Sequence, residues 1–107
     1  MSYVVTLDKE ITDSFLEENE IALIGFWAAW CGPCKMMSPV LSDLAAKYRG
    51  EYAVGKVNVN DCSEIAAKYE IENLPTLVIF KNGESVGRMV GYMNLDDLDK
   101  EIARILS

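Results

Sequence analysis

Residues 21–28, Ile-Ala-Leu-Ile-Gly-Phe-Trp-Ala, contain no polar side chain to mark a wet face. A run of that kind predicts a strand covered on both sides, and hence the middle of a sheet. Upstream, Tyr3-Val4-Val5-Thr6-Leu7 is short and β-branched, which predicts a first strand. Residues 8–19 then carry Ile11, Phe15 and Leu16 at helical spacing among acidic positions, which predicts a first helix. From Pro33 onward Met37, Val40, Leu41, Leu44, Ala45 and Tyr48 recur at three- and four-residue steps, so a second helix is expected to end at Gly50. Pro39 falls inside it; its missing N–H and its clash with the carbonyl of Lys35 predict a kink after the first turn.

Residues 52–59 alternate as a third strand does, and Asp61-x-x-Glu64 has capping-box spacing at the start of a short helix reaching Tyr69. The runs 76–80 and 84–90 flank Asn82-Gly83, a pair suited to a tight turn, so an antiparallel hairpin is expected. Asn94 precedes Leu95, Leu98, Ile102 and Ile105, with Asp96 and Asp97 early and Arg104 late, which predicts a capped final helix. The order β-α-β-α-β-α-β-β-α makes this an α/β chain. Right-handed parallel crossovers and a last antiparallel hairpin should build a central mixed sheet flanked by helices on both faces. No repeat, low-complexity tract or linker interrupts residues 1–107, so one domain is expected.

Charge and composition narrow the chemistry. Ten Lys+Arg against 17 Asp+Glu leave a net charge of −7, a field that repels phosphate backbones and anionic lipid, so neither nucleic acid nor membrane is an expected partner. The longest apolar run, 21–30, is about half of the roughly 20 residues that a spanning helix needs. The stretch from Met1 to Asp8 has no basic region, and acidic residues arrive before any long apolar segment, so no export signal is read. The absence of histidine removes the commonest general base and metal ligand and leaves Cys, Asp, Glu, Lys or Tyr to act. Three cysteines, Cys31, Cys34 and Cys62, are too few and odd in number for a disulfide framework, which favours a reducing compartment.

Cys31-Gly32-Pro33-Cys34 stands where the central strand gives way to the second helix, the place where open α/β sheets put their sites. On one helical turn residues i and i+3 lie roughly 5–6 Å apart, within the reach of a disulfide. Cys31 precedes the first turn, where free N–H groups favour a thiolate, and Cys34, one turn in, is expected to be more covered. That asymmetry makes Cys31 the natural nucleophile toward a substrate disulfide and Cys34 the thiol that resolves the mixed disulfide. Pro33 suits the first helical position and Gly32 leaves room for a partner chain, although both also serve as plain turn residues. A closed zinc site would need Cys62 and carboxylates to converge on the pair.

At these residues the sequence resembles the thioredoxin family, and the resemblance spans essentially the whole chain. It rests on Phe26-Trp27-Ala28-x-Trp30-Cys31-Gly32-Pro33-Cys34-Lys35, Pro39, Leu74-Pro75-Thr76, Phe80-Lys81-Asn82-Gly83 and Gly91. The resemblance implies a thioredoxin fold and a general cytoplasmic protein-disulfide reductase, monomeric and without a bound cofactor. Electrons would come from a thioredoxin reductase, usually from NADPH, and pass to disulfide-containing client proteins in the service of cell redox homeostasis. It further implies that Pro75 is a cis-proline against the cysteines, where X-Pro pairs are otherwise trans by default. The Leu74 backbone would pair with an extended client segment. Trp30, Gly32, Pro33, Leu74, Pro75, Gly91 and the neighbouring Tyr92 would then form a flat apolar patch around Cys31, with Trp27 left to core packing.

The chain departs from the family at Gly25, two residues before the first tryptophan of the motif, where most members carry a buried aspartate that helps deprotonate the resolving cysteine. Lys56 resembles the lysine that faces that aspartate. Two readings stay open for it: it favours the Cys34 thiolate electrostatically, or its ammonium snorkels to water. Cys62 sits near the start of the third helix, where the dipole could lower its pKa, and two readings stay open for it: regulation by glutathionylation or an intermolecular disulfide, or an incidental, partly buried thiol that packs. Two rival functions on the same fold are an oxidant or isomerase, against which Gly32-Pro33 between the cysteines speaks, and a noncatalytic docking subunit.

Overall fold

The computed structural model describes residues 3–107; Met1 and Ser2, part of the N-terminal stretch read above, lie outside the described residues. Five strands form one mixed sheet: β1 (Val4–Thr6), β2 (Ile21–Trp27), β3 (Ala53–Asn58), β4 (Thr76–Lys81) and β5 (Glu84–Val90), in the spatial order β1-β3-β2-β4-β5. Helices α1 (Thr12–Glu18), α2 (Gly32–Lys47), α3 (Ser63–Lys68) and α4 (Leu95–Leu106) complete the expected order of elements. β2 pairs in parallel with β3 and antiparallel with β4, which puts it at the centre of the sheet.

The unbroken apolar character of β2 has the predicted cause. Ala22, Ile24 and Phe26 enter one core cluster with Phe15, Leu16 and Ile65 of α1 and α3, while Leu23 enters the other with Leu41, Leu44, Leu98 and Ile102 of α2 and α4. β4 divides in the same way, Val78 and Phe80 to one side and Leu77 and Ile79 to the other. Every one of these β2 and β4 side chains is almost wholly buried, as a strand between two helical layers requires.

The ends of the elements show the local chemistry. Asp8 does not begin a helix; its Oδ1 accepts the N–H groups of Glu10 and Ile11, closing a turn that delays α1 to Thr12. α2 runs through Pro39 and ends just before Tyr48, with Gly50 at φ +86° reversing the chain. Asn82 and Gly83 both have positive φ, 53° and 82°, as a type I′ hairpin requires. Asn94 caps α4 by accepting the N–H of Asp97 at 2.9 Å. The capping box read at Asp61 does not form: α3 begins at Ser63 after Cys62, with no side-chain cap.

Candidate active site around Cys31 and Cys34

β2 delivers the chain to the site. After Trp27 a short turn, in which the Cys31 N–H donates to the Ala28 carbonyl at 3.2 Å, places Cys31 directly ahead of α2. Cys31 holds an extended backbone and its Sγ accepts the N–H of Cys34 at 3.2 Å, so Cys31 itself is the N-cap of the helix. Cys31 and Cys34 are joined as a disulfide with Cα atoms 5.3 Å apart. Cys34 is more covered than Cys31, as expected, but only barely: the two residues are 5% and 6% exposed. In the bonded state both sulfurs pack with Ala28 in one small cluster, and the asymmetry resides in the hydrogen bond received by Cys31 rather than in burial. Pro33 is the second helical residue, not the first, because Gly32 already belongs to α2; the N–H it lacks is one of the orphans at either position. Around Gly32 nothing stands within 4 Å of where a Cβ would be, so the approach to the pair is open on that side.

The other expected residues converge. The Leu74–Pro75 peptide is cis, and Leu74 packs against the cluster of Ala28, Cys31 and Cys34. The Pro75 carbonyl accepts the Gly91 N–H at 2.8 Å, and Gly91 holds φ +95°, a conformation that favours glycine. Neither backbone polar group of Leu74 has a hydrogen-bond partner among the described residues. Trp30 is 70% exposed beside Cys31, and Tyr92 lies exposed next to Gly91.

Lys56 lies on β3 as the register partner of Gly25 on β2. It is half-buried, its Nζ stands 5.7 Å from the Trp27 ring centroid, and it lines a cavity shared with Cys34 and Gly25. Among the described residues it makes no salt bridge. Trp27 packs against the cysteine cluster, as expected of a core residue, but its indole N–H is buried with no acceptor. Sequence reasoning missed Met89 and Met93, which line the same cavity. Alternation along β5 points Met89 inward, whereas Met93 sits in a loop with no periodicity to reveal it.

Cys62 belongs elsewhere, packed against the α1/α3 core with its Sγ 3.8 Å from the Leu7 carbonyl. Burial, followed by the negative charges of Asp61, Asp8 and Glu10, pushes its pKa up, which overturns the dipole-lowered thiol considered from its position ahead of the helix. Among the described residues no group of three or more Cys, Asp or Glu is arranged to hold a metal ion, and no helix is long and apolar enough to cross a membrane.

Comparison with known proteins agrees with this geometry. A family model described as Thioredoxin matches residues 3–104. A thioredoxin of Staphylococcus haemolyticus is 44% identical over 92 residues, which covers 83% of this chain and 88% of the relative. A thioredoxin of Staphylococcus aureus is 42% identical over the same span. With a redox-competent cysteine pair at the N-terminus of α2 and this match along nearly its whole length, the chain belongs to the thioredoxin family.

Proposed function

We propose that Cys31 is the attacking thiolate and Cys34 the resolving thiol of a general protein-disulfide reductase. Members of the family are protein-disulfide oxidoreductases that bind no cofactor of their own, and dithiol–disulfide exchange is the reaction of this chain. The observation that carries the assignment of roles is the Cys34 N–H donated to Cys31 Sγ at the positive end of α2. A thiolate at Cys31 gains from that donor and from the helix dipole, and a thiolate at Cys34 gains from neither in the same way.

The electrons balance in two exchanges. The Cys31 thiolate attacks one sulfur of the client disulfide, forming a mixed disulfide and expelling the other client sulfur as a thiolate. The Cys34 thiolate then attacks Cys31 Sγ and expels the second client thiolate. The client has gained two electrons, and the pair ends as the Cys31–Cys34 disulfide of the present structure. Lys56 supplies positive charge on the cavity side of Cys34, in the place where Gly25 contributes no carboxylate, and it acts as a positioning charge for the second step. The unpaired Leu74 backbone supports β-type pairing with the client segment, with exposed Trp30, Gly32 and Pro33 and half-buried Gly91 forming the surface around it, and Pro75, expected in that patch, buried beneath.

Return to the dithiol state is assigned to a thioredoxin reductase drawing on NADPH. The whole chain, 1–107, works as one monomeric cytoplasmic unit in electron transport and redox homeostasis. Turnover of insulin disulfide by the protein with thioredoxin reductase and NADPH tests this reading. Cys31→Ser should abolish it, and Cys34→Ser should accumulate a mixed disulfide at Cys31. A Cys34→Ser protein that retains partners without covalent capture, or a pair as oxidising as glutathione, would overturn it.

A further inference from the structure

The segment that brings Leu74 to the cysteine cluster runs from the end of α3 to the start of β4, and backbone hydrogen bonds hold it only near its two ends. The Ile71 N–H donates to the Ala66 carbonyl at 3.0 Å, and the Pro75 carbonyl accepts the Gly91 N–H at 2.8 Å. At the α3 end the Arg88 guanidinium also donates to the carbonyls of Tyr69 and Glu70, at 2.7 and 3.3 Å. Between these anchors Glu72, Asn73 and Leu74 make no backbone–backbone hydrogen bond among the described residues. One side chain reaches into the gap: Thr76 Oγ1 donates to the Asn73 carbonyl at 2.6 Å.

Thr76 is 2% exposed, and as the first residue of β4 it is in register with Phe26 on β2 and Val90 on β5, so the sheet sets its position. A buried hydroxyl is costly without a partner, which favours keeping this bond. The Asn73 carbonyl and the Leu74 N–H belong to one planar trans peptide unit and point in opposite directions across it. Holding the carbonyl on Thr76 therefore fixes the direction of the Leu74 N–H, away from the buried hydroxyl, and a bond accepted at the carbonyl makes that N–H a better donor. We propose that Thr76 is a positioning residue for client binding, its hydroxyl aiming the Leu74 N–H at a carbonyl of the extended client segment. The inference rests on the client pairing at Leu74 put forward above and names the side chain that orients it. Without the hydroxyl, water takes the carbonyl of exposed Asn73 and the peptide plane is free to turn.

Single-turnover reduction of insulin by the dithiol protein, which needs no reductase, reads this role. Thr76→Val keeps the shape of the side chain and removes the donor. It should raise the half-saturating insulin concentration about fivefold, the net worth of one hydrogen bond, and leave the saturating rate in place. The small aromatic disulfide dithiobis(nitrobenzoate) has no peptide backbone to pair, and the same preparation should reduce it at the wild-type rate. Thr76→Ser restores the hydroxyl and should recover most of the insulin affinity. The Leu74 amide signal in a nitrogen-correlated NMR spectrum should move in Thr76→Val and return toward its wild-type position in Thr76→Ser. An unchanged insulin dependence, equal slowing of both disulfides by a folded variant, a Leu74 signal left in place, or Thr76→Ser behaving as Thr76→Val would overturn the proposal. Should valine disturb β4, Thr76→Ser against Thr76→Ala makes the same comparison in a smaller side chain. Reduction of insulin by the wild-type protein tests the reductase reading by itself, so the two can fail separately.

Discussion

Gly25 and Lys56 face each other in register across the parallel β2–β3 pair, so the strand that leads to the cysteines carries no side chain where its neighbour carries an ammonium. Cys34 lines the same cavity, and the proposed role of Lys56 is that its charge favours the Cys34 thiolate. A unit charge about 4 Å away and screened as by water is worth about 1 kcal/mol, or about fivefold in a rate that needs the thiolate. Lys56→Met keeps the stem and removes the charge, so the Cys34 pKa should rise and insulin reduction at neutral pH should slow by about fivefold. Thiolate ultraviolet absorbance and turnover, measured on the same preparations, check the two together. Matching values for variant and wild type would show that Lys56 only packs.

Two glycines on neighbouring strands should respond differently to alanine. At Gly25 the added Cβ meets the far end of one flexible side chain, Leu41 Cδ1, beside a cavity into which it can turn. At Gly55 it would stand 2.5 Å from Leu7 Cδ1, 3.0 Å from Leu7 Cγ and 3.3 Å from Phe15 Cε2, in a filled core. Gly25→Ala should therefore cost under about 1 kcal/mol, whereas Gly55→Ala should cost about 1–3 kcal/mol through overpacking. Denaturant midpoints of the two variants decide it, and equal losses would mean that the space beside Gly25 does not accommodate Leu41.

The elements whose pattern has one local cause were legible in the sequence. Asn94 with the heptad-like Leu95, Leu98 and Ile102 gave both the start and the buried face of α4, and Asn82-Gly83 gave the hairpin. The same rule misled at Asp61, because a capping box needs the residue to stand at the N-cap, and the chain turns once more, through Asn58 and Asn60, before α3 begins at Ser63. The cysteine pair was legible because its chemistry is compact in sequence. The cavity was not, since Gly25, Lys56, Leu77, Met89 and Met93 come from separate parts of the chain, and only the register of β2, β3 and β4 with the turn after β5 assembles them.

That difference between the two acidic or amide caps is measurable. Asn94→Ala removes the acceptor of the Asp97 N–H and should lower stability by about 1 kcal/mol, visible as a fall in thermal midpoint. Asp61→Ala removes an exposed side chain that caps nothing and should change stability by less than about 0.5 kcal/mol. Losses of equal size would place Asp61 at the helix start after all.

Cys62 gives a pH dependence of defined sign. Its folded pKa lies above the ordinary thiol value of 9.0, first because burial disfavours the thiolate and then because Asp61, Asp8 and Glu10 are negative. The unfolded chain therefore loses this proton first as pH rises. The contribution of the neutral thiol to stability is complete below 9.0 and is lost as pH climbs toward the folded pKa. Cys62→Ser does not titrate in this range, so wild type should lose stability relative to the variant above pH 9.0 and run parallel to it at neutral pH. In the oxidised protein, where Cys31 and Cys34 are bonded, Cys62 is the free thiol, and its alkylation by iodoacetamide reads the same ionisation directly. It should react more slowly near neutrality than an exposed peptide thiol. Faster reaction would mean that the acidic neighbours and the core leave the thiolate unpenalised.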